Sequence, residues 1–289
     1  MPRTRRQSNA SRWTLALLLM GLGVLATLDI WADIFRIALR DEESSHILLV
    51  PVVAAWLVWV RRSRLRDCRV RTSWWGPVLI GIGWTLSSIG FRNATQSFWH
   101  GGALLVVVGC LVTLAGIDPI RRFFPAFLVL GFLLPVPGVV RQQIAIPLQT
   151  ATAHVTQWVF EAGGASVARS GNVLTMNGVE VAIAEACNGM RMVFSLALVS
   201  FAFAFGLPLR NSVRLLVLLA SPVCAIAANV VRMIPTVWIY GSYPTPVAQA
   251  FHDISGWLML PLTFLVLIGI VRILRWALVP VTRFTLAYQ

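Results

Sequence analysis

The sequence predicts an all-α polytopic membrane protein, and three observations predict it. Of 289 residues, 57% are hydrophobic and only 12% are charged, about half the charged share of an average soluble domain. The apolar residues fall in blocks close to the roughly 20 residues that cross a bilayer as a helix. All 24 basic residues are arginines, and they gather in the short loops between those blocks. The chain carries a net charge of +13, but a nucleic-acid partner would need a solvated basic face with stacking aromatics. Loop arginines speak instead of topology, so the expected surroundings are a lipid bilayer and no nucleic acid.

Taken in order, the blocks give about eight spans, at 13–34, 46–60, 74–89, 101–117, 123–140, 187–207, 213–240 and 254–273. Residues 1–12 form a basic N-terminus; the run that follows is longer than a signal-peptide core, so the first span is expected to stay uncleaved. The second block is short, and Pro135 and Pro137 break the fifth, which suits tilted or re-entrant segments. With the N-terminus inside, 17 arginines face the cytoplasm and five face outward, with Arg191 and Arg232 at membrane depth. The excess of positive charge marks the cytoplasmic side, so both termini are expected there.

The long connection 141–186 is then extracytoplasmic. Its first part, 142–160, mixes apolar residues with Gln142, Gln149, His154 and Gln157, the pattern of a short amphipathic helix at the interface. Val173, Leu174, Met176 and Val179, Val181, Ile183 flank Asn177-Gly178 and read as a hairpin before the sixth span. The whole of 1–289 reads as a single integral membrane domain, with 187–275 its reactive core.

Three reactive side chains from three spans fall at one depth on the outer side: Cys187, Arg232 and His252. A cysteine attacks as its thiolate, favoured by a helix start and a nearby cation; Arg191 lies one turn on, at i+4. His252 suits proton transfer near neutral pH. Arg232, costly at membrane depth and therefore a functional candidate, offers a charged fork for an oxyanion or carboxylate; Asn229, three residues earlier, shares its face. This set supports acyl transfer. Cys68, Cys110 and Cys224 read as small buried hydrophobes. His46, His100 and His154 have no paired ligand spacing, so neither a metal nor another cofactor is expected.

The run Glu185-Ala186-Cys187-Asn188-Gly189-Met190-Arg191, then Asn229-Val230-Val231-Arg232, then His252 ahead of Ser255-Gly256-Trp257, resembles the exosortase/archaeosortase family. Ser45-His46 with Leu49-Val50-Pro51, and Pro135-Val136-Pro137 with Ile146-Pro147-Leu148, carry the likeness across most of the chain. The resemblance implies a membrane cysteine transpeptidase acting on exported proteins that end in a short motif such as Pro-Glu-Pro, a transmembrane helix and a basic tail. It implies Cys187 as nucleophile, with Arg232 and His252 completing the set, and Arg191 and Asn229 in support. It places the chain in a bacterial inner membrane, since His252 stands where the archaeal branch tends to have an arginine. The acceptor, an amine or water, stays open. So does a different class of function, a non-catalytic membrane component of exopolysaccharide export or assembly.

Overall fold

In the computed structural model, residues 2–183 and 189–276 are described, and most of them are helical. The chain divides after Pro137 into two units, Met1–Pro137 and Gly138–Gln289.

The first unit begins with α1 (Pro2–Ala26) and α2 (Leu28–Arg40). The sequence predicts one span over 13–34, whereas the two helices meet at a 75° bend. Thr27 makes the break: its backbone leaves the helical region at φ −120°, ψ 28°, and its hydroxyl donates to the Gly23 carbonyl at 2.8 Å. Such back-bonding bends helices. A 3₁₀ turn, Glu42–Leu49, leads into α3 (Val50–Val60). Asp41 caps it, accepting from the Glu43 N–H at 3.0 Å and the Ser44 hydroxyl at 2.8 Å.

Next come α4 (Trp75–Arg92) and α5 (Gln96–Ala115), an antiparallel pair. Gly76, Gly83 and Gly90 recur every seventh residue along α4 and face α5 at backbone distance. A Cβ on Gly83 would stand 2.7 Å from the Gly102 carbonyl oxygen, and one on Gly109 would stand 2.9 Å from that of Gly76. Small residues let membrane helices approach this closely, gaining packing where no hydrophobic force separates protein from lipid. Two short helices, α6 (Asp118–Arg122) and α7 (Phe124–Leu128), and a 3₁₀ turn (Val129–Leu133) close the unit. Pro135 and Pro137 thus end a helical segment, as the sequence suggests.

The second unit opens with α8 (Gly138–Ala162), which contains the 142–160 segment. The expected hairpin is present as β2 (Val173–Met176) and β3 (Val179–Ala182), with Leu174 opposite Val181 and Met176 opposite Val179. Asn177 and Gly178 both take positive φ, 53° and 80°, the backbone that a two-residue hairpin turn requires. A third strand, β1 (Ala168–Ser170), pairs with β2 and was not expected. One sheet face packs Leu174, Met176 and Val181 against Phe160 of α8 and against Met233 and Val237 of the following long helix.

The remaining helices are α9 (Gly189–Gly206), α10 (Asn211–Ser242) and α11 (Thr245–Trp276). α11 starts nine residues before the expected eighth span, so His252 sits inside a helix. Among the described residues, Glu43–Val60, Gln96–Ala115 and Asn211–Ser242 are each long and apolar enough to cross a membrane. The count rises to five if two bent segments each form one span. The protein is therefore a multi-pass helical membrane protein.

Candidate active site

Asn229 and Arg232 lie one turn apart on the buried face of α10, between Ala228 and Met233. Arg232 is 4% exposed and Asn229 2%. The Arg232 guanidinium donates to the Asn229 side-chain oxygen at 3.5 Å. The other end of that amide donates to the Thr152 hydroxyl of α8 at 3.1 Å. Asn229 is thereby oriented from both sides. The Thr236 hydroxyl donates to the Arg232 carbonyl at 2.7 Å, adding a polar link on the same face. A charge held this deep inside an apolar bundle is destabilising unless hydrogen bonds surround it.

His252 stands elsewhere on the unit. Its Nδ1 lies 3.3 Å from the Asp253 carboxylate, and its backbone carbonyl accepts from the Ser255 hydroxyl at 2.9 Å. Nε2 is buried and has no partner among the described residues. In the tautomer that donates Nδ1–H to Asp253, Nε2 is the acceptor nitrogen of the ring. His252 lines a cavity of about 350 Å³ together with Glu180 and Ala182 of β3, Tyr240 of α10, and Gln249 and Asp253 of its own helix. Arg232 is not among the described residues lining that cavity.

Cys187 lies outside the described residues, as does the side chain of Arg191. In the sequence Cys187 comes five residues after the end of β3 and two before the start of α9. β3 borders the His252 cavity. The other three cysteines, Cys68, Cys110 and Cys224, are buried and unpaired by disulfides, as expected of small hydrophobes. In the loop region, burial first, and then the Asp118 carboxylate, push the Cys68 thiol above its ordinary value; that disfavours a reactive thiolate.

Sequence reasoning found Asn229 and Arg232 as a pair, and the structure joins them. It missed Thr152, Glu180 and Tyr240, which come from distant parts of the chain. Asp253 was within reach of sequence reading as the carboxylate adjacent to His252.

These observations define a class: a multi-pass helical membrane protein with a buried, hydrogen-bonded arginine and a histidine at a polar cavity. Within that class the family is settled by the sequence as a whole. The family model for transmembrane exosortases (exosortase EpsH) matches residues 31–269, and the chain belongs to this family. No curated protein and no solved structure matches it.

Proposed function

We propose that the protein is a membrane cysteine transpeptidase that cleaves C-terminal sorting signals of exported, membrane-anchored proteins. Family membership over 31–269 is the observation that carries the reading, and the buried Arg232–Asn229–Thr152 chain supports it. The substrate is a protein tail made of a short Pro-Glu-Pro-like motif, a membrane helix and a basic cluster.

In this reading the Cys187 thiolate attacks the carbonyl carbon of the scissile peptide bond. Arg232 holds the developing oxyanion, a role worth about 10²–10³ in rate for a single donor. Protonated His252 gives its proton to the leaving amine as the C–N bond breaks, leaving a thioester on Cys187. An amine or water then attacks the thioester and loses a proton to His252, and the thiolate departs. Arg191 stabilises the thiolate, and Asn229 orients Arg232. The remaining apolar blocks, in α4, α9 and α11, complete about eight spans in one integral membrane domain. Both termini face the cytoplasm of a bacterial inner membrane, and the site faces outward.

Co-expression of the enzyme with a tailed substrate tests this reading. Cys187→Ala is expected to insert normally and leave the substrate uncleaved on a blot. Normal processing by that variant would refute it and favour a non-catalytic role in exopolysaccharide export.

A further inference from the structure

The first unit contains a cavity that the proposed chemistry does not use. About 510 Å³ opens where the bend at Thr27 meets α4 and α5. Trp84, Phe91 and Trp99 form its walls, with the Phe91 and Trp99 rings 5.8 Å apart. Asp29 and Arg92 line the same space. Both are exposed, and neither forms a hydrogen bond or ion pair with any described residue.

We infer that this cavity binds the phosphoethanolamine headgroup of a phospholipid, its phosphate on Arg92 and its ammonium on Asp29 and the ring faces. Two opposite, unused charges in one cavity call for a ligand that carries both signs. Guanidinium matches phosphate by its fork of donors, while a carboxylate beside aromatic faces attracts a cation. An anionic headgroup would satisfy Arg92 and be repelled by Asp29.

The hydroxyls of the cavity sharpen the choice between ammonium types. Thr27 donates its proton to the Gly23 carbonyl, Ser87 to that of Trp99 and Ser88 to that of Trp84. Thr27 already accepts from the Trp31 indole N–H at 3.0 Å, whereas the Ser87 and Ser88 oxygens, their protons committed, offer lone pairs to a further donor. A primary ammonium has three N–H groups and a choline has none. Depth agrees: the arginine count puts Arg92 on the outer side, and Asp29 lies in the outer half of the first apolar block, at headgroup level. Tryptophans favour that level as well. The same helices expose Leu22, Leu25 and Leu28, and Ile82 and Ile89, for acyl chains to cover.

The cavity is also preformed. The close approach of α4 and α5 at Gly83 and Gly90, with Ser87 tied to the Trp99 carbonyl at 2.9 Å, fixes the walls before a ligand arrives. Binding then costs little ordering of the protein.

Native mass spectrometry of the full-length protein in detergent, titrated with phosphatidylethanolamine, phosphatidylcholine and phosphatidylglycerol, tests the proposal. Phosphatidylethanolamine should bind about fivefold or more tighter than either of the others, given one charge-assisted pair and one cation–π contact. Asp29→Asn should erase the preference over phosphatidylglycerol, and Arg92→Gln should weaken all three. Arg92→Lys should retain part of the binding, since the positive charge remains. Because both side chains are exposed, these changes leave the packing of the unit intact. Soluble O-phosphoethanolamine should compete with the lipid, and inorganic phosphate should not. Equal binding of the three lipids, indifference to Asp29→Asn and Arg92→Gln, or competition by inorganic phosphate at the same concentration would each overturn the proposal.

Discussion

The α4–α5 pair and the α8–α10 pair are both helix pairs of a membrane protein, held in opposite ways. α4 and α5 meet through glycines, with Gly83 and Gly102 so close that no Cβ fits between them. α8 and α10 meet through polar side chains, with Thr152 and Asn229 hydrogen-bonded and Arg232 beyond them. Glycine packing supplies stability and holds no charge. The polar contact carries a desolvation cost that the glycine contact avoids, and a bundle retains such a cost where a function requires the charge. On the function proposed above, the difference makes the α8–α10 contact the chemical one and the α4–α5 contact a purely structural one within its own unit.

The contrast can be broken most severely at Arg232. Arg232→Ala should lower substrate processing by about 10²–10³-fold, measured as the rate of loss of the tailed precursor, while membrane insertion persists. Gly83→Val tests the opposite half. It should destabilise the protein by about 1–3 kcal/mol through overpacking, read as a lower midpoint of thermal unfolding in detergent. Processing per folded molecule should stay near wild type. If Gly83→Val slowed catalysis as strongly as Arg232→Ala, the division into support and chemistry would fail.

A subtler probe is Thr152→Val, which removes the hydroxyl that orients Asn229. The expected loss is about 0.6 kcal/mol and at most about 1.7 kcal/mol, the mean and maximum for single interhelical hydrogen bonds in a membrane protein, with a several-fold fall in processing. The smallest effect belongs to the loop beside α6. Asp118 accepts from the Arg69 backbone N–H and from the Arg122 side chain, both at 2.8 Å. These bonds, the backbone one foremost, hold its carboxyl below the usual value. A depressed folded-state pKa contributes stability above the unfolded value and loses it as the pH falls through the folded one. Asp118→Asn should therefore lower the unfolding midpoint slightly at pH 7. The gap from wild type should close progressively below about pH 4, the ordinary Asp range.

Much of the fold was legible because its signals are local. Asn177-Gly178 announces a turn that only positive φ can make, and the apolar blocks announce helices by composition alone. β1 was not legible: Ala168–Ser170 is three residues long and owes its existence to pairing with β2. The bend at Thr27 was hidden inside a long, largely apolar block, where one hydroxyl redirects the chain. The early start of α11 had a usable signal in Thr245-Pro246, since proline favours the first turn of a helix. The polar residues Gln249, His252 and Asp253 obscured it by lowering the hydropathy there.

The site divides along the same line. Arg232 and Asn229 were legible as neighbours on one helix, by spacing and by the cost of burying a charge. Thr152 was not, because only the packing of α8 on α10 brings it to Asn229. Glu180 reaches the His252 cavity through the register of the hairpin, which residue type alone does not reveal.

The central claim is a thioester on Cys187, and trapping it is the most direct test. Enzyme incubated with a tailed substrate and quenched in acid should carry the substrate's upstream portion on the Cys187 peptide by mass spectrometry. Hydroxylamine should release the adduct, and Cys187→Ala should form none. Efficient cleavage of the substrate by Cys187→Ala, or an adduct mapped to another residue, would contradict the account.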